Sequence, residues 1–568
     1  MDFKKYENVK IKDLPYKRYT LEEARENFDK FFAAAKNAKC ADDVLSARSK
    51  YVSVANRAFS TAYSLANARF TQNTRDEFYD GEVNYYDTVS PAFNGLCVRY
   101  VDCMLSSPFR KELEKKLGKV LYRTFEFQKA SYDDAIEEEV KTENAYVTEY
   151  VKLLSTVECD FKGEKKPLSY VRGFLEDKDR DVRKAAAESI GKAMQAHSAE
   201  FDDVFDRLVR VRDKMAKKMG YKNFTQLGYY RRGRIDYDRA AVEKFRKNVV
   251  SSLTPVVAEM KKAVAEKLGI TDFRYYDDAV YSKDEVPVRD CSVEEFFNRA
   301  KEMYSSMDKE LSSLFDRMVN EEAFDVLPRD GKTGGGYCTS FDDFGKIFIL
   351  ANFNGASGDI DVITHEFGHA IAMNYALHKE DDELGIGGCE TAECHSMSME
   401  FLAWPYMDKF FGKLADAYRK KHLSDALTFI PYGCLVDEFQ HEVYDHPEMT
   451  PAERNAKYLE LSAKYRPYLS YQGIPYLETG TRWQFQSHIF EAPFYYIDYC
   501  LAQTVALGFL ALSRKDYSLA LAKYKEMCRT GGEKFFSEIV KTAGIAYPFG
   551  DGTLKTLADN MSDILKTL

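Results

Sequence analysis

This chain has no basic block, no apolar run of membrane length and no paired-cysteine motif, and each absence removes a class of function. Lys and Arg number 81 against 91 Asp and Glu, a net charge of −10. Nucleic acid and anionic membranes are therefore poor candidates as partners. No stretch approaches the roughly 20 apolar residues that a helix needs to cross a bilayer. The start, Met1-Asp2-Phe3-Lys4-Lys5-Tyr6-Glu7, lacks an apolar signal core. Eleven cysteines are scattered singly, with no C-x-x-C spacing. An odd count without a framework points to reduced thiols and a cytoplasmic protein. Internal repeats, low-complexity segments and Pro/Ser-rich linkers are also missing.

What is present reads as a large helical protein. A chain of 568 residues is long for one core, so two lobes are expected. Residues 1–200 read as a helical N-terminal lobe and 201–568 as a second domain. The stretches 21–39, 41–66 and 181–218 are charged and amphipathic, as helices are. A small hairpin is expected around Gly163. The clear strand signal is 346–351, a β-rich run bounded by Gly345 and by Asn354-Gly355.

Histidine is scarce, with nine in the chain, yet two of them lie four apart in His365-Glu366-Phe367-Gly368-His369. A chance H-E-x-x-H in such a chain has a probability of about 0.01. On a helix, positions i and i+4 share a face, so both imidazoles can meet one metal ion. Glu366 is then placed to act on a water bound to that metal. A catalytic zinc takes three protein ligands and one water. Ala372 and Tyr375 stand where the metzincin pattern needs Gly and His, which excludes that class. After a polar, glycine-rich turn, a second helical pattern carries Glu390, Glu393 and Glu400 as carboxylate candidates. Glu393 suits a direct ligand. Glu400, seven residues on and on the same face, suits a hydrogen bond to a ligand imidazole. Cys394 and His395 are weaker candidates, since buried Cys and His more often pack.

H-E-F-G-H followed by E-T-A-E-C-H-S-M-S-M-E-F resembles the oligoendopeptidase F and thimet oligopeptidase family of zinc metallopeptidases, closest to its bacterial oligoendopeptidase F branch. Gly334-Gly335-Gly336-Tyr337-Cys338, the stretch 345–355 and the His-and-Tyr stretch 486–499 support the likeness, which covers residue 200 onward. The resemblance implies a mainly α fold. By the same resemblance, two helical lobes would enclose a deep channel, with a small β-sheet beside the H-E-x-x-H helix. It makes 201–568 the catalytic domain and assigns one zinc per chain to His365, His369 and Glu393. By itself 346–351 reads as an ordinary core strand; the resemblance places it instead at a sheet edge, where Gly345, Phe348, Ala351 and Asn352 would bind an extended substrate.

The implied reaction is hydrolysis of internal peptide bonds in short unfolded peptides, with a zinc-bound water activated by Glu366. The resemblance assigns oxyanion and substrate contacts to His488, Tyr499 and one or both of Tyr495 and Tyr496. Without it, the tyrosines would read as an aromatic core helix. Pro493 is expected to start that helix, leaving His488 on an earlier element. His441 and His446 read as structural. Two alternatives stand beside this reading: an exopeptidase of dipeptidyl carboxypeptidase type, and a peptide-binding relative without catalysis. Oligomeric state has no signature in the sequence.

Overall fold

A computed structural model of the chain describes residues 3–283, 285–379 and 381–568. The fold is mainly helical, with a two-stranded and a three-stranded sheet among the described residues. The chain divides into two compact units, but not at residue 200. Unit 1 comprises Met1–Ala130, Pro287–Ala415 and Val505–Ala546, and unit 2 the remainder. The reason is local. Helix Ser198–Lys218 runs unbroken across the expected boundary and buries Phe201, Val204, Phe205, Leu208 and Val211 on one stripe.

In unit 1 the first long helix, Leu21–Asn37, starts at a capping box of Thr20 and Glu23 and buries Leu21, Ala24, Phe28 and Phe31. The stretch expected as one helix from residue 41 is interrupted by a π-helical turn, Arg48–Val52. That turn directs Arg48, which is buried, to Asp381 (Nη2–Oδ1 2.7 Å) and Glu383 (Nη2–Oε2 2.5 Å). The Tyr100 hydroxyl donates to the same Glu383 oxygen at 2.9 Å. Two segments far apart in sequence are thereby tied to the loop that follows the H-E-x-x-H helix.

The three-stranded sheet also lies in unit 1. Its strands are β3 (Phe324–Asp325), β4 (Tyr337–Phe341) and β5 (Lys346–Leu350), in the order β3-β5-β4. Here the structure corrects the expectation for 346–351. The strand is central, not an edge: β5 pairs in parallel with β3 and antiparallel with β4, and all five of its residues are buried. The apolar run 347–350 suits a strand covered on both faces, and the buried Lys346 is paired with Glu321 at 2.5 Å. The edges are β3 and the longer β4, each paired with β5 alone among the described residues.

Unit 2 contains the hairpin expected around Gly163, formed by β1 (Glu158–Phe161) and β2 (Glu164–Pro167). Lys162 and Gly163 both take positive φ, 53° and 82°, as a two-residue type I′ turn requires. Its core is laced with paired charges. Arg212 is fully buried against Glu143 (Nε–Oε1 2.6 Å), whose other oxygen meets Arg231 at 2.8 Å.

One helix, Tyr496–Ser513, is long and apolar enough to cross a membrane by length and composition. The sequence reading did not single it out, because Asp498, Gln503 and Thr504 break its apolar run. Its side chains Ile497, Leu501, Val505 and Phe509 have no exposure, and Asp498 is buried against Arg234 at 3.0 Å. Those features describe a core helix.

Glu143→Ala would leave Arg212 buried without its carboxylate. We expect a loss of about 3–5 kcal/mol, read as a lower thermal midpoint. An unchanged midpoint would show that the pair contributes nothing to unit 2.

Candidate metal centre

Four helices carry the candidate residues: α1 (Gly358–Ala376) and α2 (Cys389–Leu402) in unit 1, and α3 (Ser487–Glu491) and α4 (Tyr496–Ser513), the last beginning in unit 2. The α1 start is fixed by Asp359. Its carboxylate accepts the backbone N–H groups of Asn354 and Gly355, both at 3.0 Å, and pairs with Arg289 at 2.8 Å. Phe367 is buried against the rings of Tyr304 and Phe315, with centroids 4.4 and 5.2 Å away. With Phe367 turned into the core, residues two before and two after it, His365 and His369, share the less buried side of α1.

The second helix comes unusually close. A Cβ on Gly368 would sit 2.6 Å from the His395 carbonyl oxygen and 2.6 Å from the Ser396 Cα. Only the missing side chain allows α2 to pass at this distance. The loop between the helices turns through Gly385 and Gly387, both at positive φ, and is held by Arg48. At the start of α2, the Glu390 carboxylate folds back over Gly388, where a Cβ would lie 2.7 Å from its oxygens. One turn later Glu393 reaches α1.

The resulting trio is tight. Glu393 Oε2 lies 3.4 Å from His365 Nε2 and 3.7 Å from His369 Nε2. One ligand atom from each of the three residues fits within 4.8 Å of the others. Two ligands on a tetrahedral zinc with bonds of about 2.0–2.1 Å stand about 3.3 Å apart. The donor set and its spacing therefore fit a zinc ion with a coordination position left over. Glu390, Cys394 and His395 are outside the trio. His395 is fully buried, and burial pushes its pKa down to about 3.

Glu400 accepts a hydrogen bond from His365 Nδ1 at 2.7 Å, which turns Nε2 toward Glu393. Burial alone would lower the His365 pKa, but the carboxylates of Glu393 and Glu400 outweigh it and hold it well above the usual range. His369 is lowered to about 4, by burial first and by the charge of His365 second. Glu366 is buried, and that burial raises its pKa to about 7.

The four residues expected to bind substrate are occupied otherwise. Phe348 is in the buried central strand. The Ala351 N–H donates to the Asp325 carbonyl at 2.9 Å. The Asn352 amide donates to the carbonyls of Thr333 and Gly335, both at 2.9 Å. Gly345 takes a positive φ at a turn, with the Phe3 ring where a Cβ would stand.

In unit 2, His488 lies on α3. Pro493 does not start the next helix: Phe494 adopts φ +65°, its ring filling space left open by Gly228, and α4 begins at Tyr496. The bend gathers four rings. His488 stands 4.9 Å from Tyr496, 6.0 Å from Tyr495 and 6.0 Å from Tyr499 by centroid. Gln486 bridges His488 Nδ1 (2.9 Å) and the Tyr432 hydroxyl (2.7 Å), two contacts that spacing along the sequence did not indicate. His441 is buried against Tyr229 at 2.9 Å, a structural role, while His446 is exposed.

Two imidazoles and a carboxylate with a neighbouring buried Glu form the donor set that metal-dependent hydrolases use. Comparison with known proteins places the chain more closely. It belongs to Peptidase family M3, matched over residues 174–559, and residues 11–132 match the Peptidase M3 N-terminal domain. A solved structure of PZ peptidase A with an inhibitor is similar at 39% identity and a TM-score of 0.93, covering 98% of this chain and 99% of that one. Oligopeptidase PepF of Bacillus subtilis is 20% identical over 66% of this chain, and the chromosomal oligoendopeptidase F of Lactococcus lactis subsp. cremoris 24% over 55%. The chain spans about half the length of these two curated relatives, 55% and 53%. Their oligoendopeptidase F character agrees with the resemblance read from the motifs.

Gly368→Ala should force the two helices apart and lower zinc content several-fold without unfolding the protein. Metal analysis beside circular dichroism checks this, and full zinc retention would refute the role of close approach. Because His365 must give up a proton to bind metal, zinc affinity should rise with pH, with proton release on binding. Calorimetry in buffers of different ionisation enthalpy reads that release, and its absence would mean that His365 is already neutral.

Proposed function

We propose that this protein is a zinc-dependent oligoendopeptidase that hydrolyses internal bonds of short unfolded peptides. The observation that carries the reading is the His365, His369 and Glu393 trio, closed by the helix approach at Gly368, with Glu366 beside it. Membership of Peptidase family M3 supports peptides as the substrate class. When bound, zinc supplies Lewis acidity for the substrate carbonyl and lowers the pKa of a water.

The protein's own groups do the rest. Glu366 takes the proton of the attacking water and delivers it to the leaving amine. Its burial keeps it a strong enough base to accept that proton and a strong enough acid to release it. Glu400 holds His365 in one orientation. The β4 edge offers unpaired backbone groups to an extended peptide, a role first expected of 346–351. His488, Tyr496 and Tyr499 donate to the carbonyl oxygen as it gains charge, with Tyr495 as a further contact. The likeness to the family supports that assignment, as does the clustering of the four rings. Eleven free cysteines suit a reducing, cytoplasmic setting.

Glu366→Gln should keep zinc bound and lower kcat by about 10²–10⁴-fold. Turnover at the wild-type level would remove Glu366 as the base. In the same assay, peptides blocked at both ends should still be cut, whereas an obligate exopeptidase would leave them intact.

A further inference from the structure

His365 and His488 are each held at Nδ1, but by opposite chemistry. At His365 the partner is the Glu400 carboxylate, which accepts a hydrogen bond from Nδ1 at 2.7 Å. The proton that a metal-bound imidazole keeps then sits on Nδ1, and Nε2 has a lone pair for the ion. At His488 the partner is an amide. Gln486 Nε2 lies 2.9 Å from Nδ1, and Gln486 Oε1 accepts from the Tyr432 hydroxyl at 2.7 Å. An amide has one end that only donates and one that only accepts. With Oε1 taken by the hydroxyl, the NH2 group faces His488, and Nδ1 must accept. A neutral imidazole that accepts at Nδ1 carries its proton on Nε2.

Packing fixes Tyr432 in turn. It stands on helix Ala415–Asp445 beside Gly433, where a Cβ would lie 2.2 Å from Cys500 Sγ and 3.6 Å from Tyr496 Cδ1. That helix therefore runs hard against α4, which carries Tyr496 and Tyr499. The Tyr432 and Tyr496 rings are 5.9 Å apart, and Tyr496 is 4.9 Å from His488. Gln486 caps the start of α3, and its own N–H donates to the Trp483 carbonyl at 2.9 Å, so backbone as well as side chain is tied down. The tautomer matters for the proposed reaction. An N–H at Nε2 can donate to a carbonyl oxygen as it gains charge, whereas a lone pair there would repel that oxygen. A neutral imidazole is a sufficient donor for this task.

We infer that Gln486, set by Tyr432, is a positioning residue that holds His488 as the Nε2–H tautomer, a neutral donor to the carbonyl oxygen of a peptide substrate. The donor role of His488 belongs to the peptidase reading above, on which this inference rests. What it adds is the direction of every hydrogen bond in the chain: Tyr432 O–H to Gln486 Oε1, Gln486 N–H to His488 Nδ1, and His488 Nε2–H to the substrate. The opposite order would put the proton on Nδ1 and leave Nε2 without one. The two orders differ by a half-turn of one amide group.

Nitrogen NMR of the zinc-loaded protein, labelled at its histidine rings, reads the tautomer without turnover, and the spectrum of His488→Gln assigns the signals. At a pH where the ring is neutral, His488 should show a protonated Nε2 and a bare Nδ1. Tyr432→Phe keeps the ring but removes the hydroxyl, and should give a mixture of both tautomers; a single tautomer there would remove Tyr432 from the chain. Gln486→Glu should invert the assignment, because a carboxylate accepts from Nδ1–H as Glu400 does at His365. In kinetics, Gln486→Met should lower kcat by about 10- to 100-fold at unchanged KM and zinc content, less than the ~10²–10³-fold that outright loss of an oxyanion donor costs. A protonated Nδ1 in the wild-type protein would overturn the inference, and so would a wild-type kcat in Gln486→Met. Failure of the wild-type protein to cleave any peptide would instead count against the peptidase reading, because the spectrum does not depend on cleavage. Melting curves establish that each variant is folded before spectra and rates are compared.

Discussion

The candidate metal centre depends on how closely two helices pass. Imidazoles four residues apart on one helix need a third ligand from elsewhere, and Glu393 can supply it only if its helix lies almost against the first. The contact that permits this is Gly368 on the His395–Ser396 backbone. Everything around it serves that approach. Phe367 anchors one helix to the aromatic core, Asp359 fixes its start, and the glycines of the connecting loop turn the chain back. The geometry of the donors, 3.4 and 3.7 Å apart, is the outcome of backbone packing more than of side-chain choice.

Much of this was legible in the sequence, and the limits have physical causes. The facing pair His365 and His369 could be read because helical periodicity converts spacing into direction, whereas Glu393 was one of three carboxylate candidates until the family resemblance singled it out. Glu400 could be read for the same reason, two turns after Glu393. The family resemblance holds across the chain. Strand order was not legible: 346–351 is a sheet strand in either reading, and nothing local says that Tyr337–Phe341 closes one side and Phe324–Asp325 the other. The division of the chain was not legible either, because each unit is assembled from three separate segments. Pro493 misled for a simpler reason. Its fixed φ suits a helix start, but Phe494 beyond it takes a left-handed conformation, and the helix waits until Tyr496.

Charge is distributed in this protein with a purpose that composition hides. Buried ion pairs such as Arg212–Glu143 and Arg234–Asp498 are closed within the fold. They fix which helices meet, at the cost of desolvating both partners. At the metal centre the closure is incomplete: two carboxylates converge on His365, and burial leaves His369 uncharged. Such a donor set suits a cation.

The π-helical turn at Arg48 has a consequence for how the protein meets its metal. One guanidinium grips Asp381 and Glu383 on the loop between the two ligand-bearing helices, with Tyr100 behind it. These contacts do not involve the metal, so the loop is set before any ion arrives. Small zinc domains fold around their ion and collapse when it is withdrawn. Here the candidate ligands are placed by backbone packing that owes nothing to a metal ion. An ion would then be taken up by a protein already folded around its site.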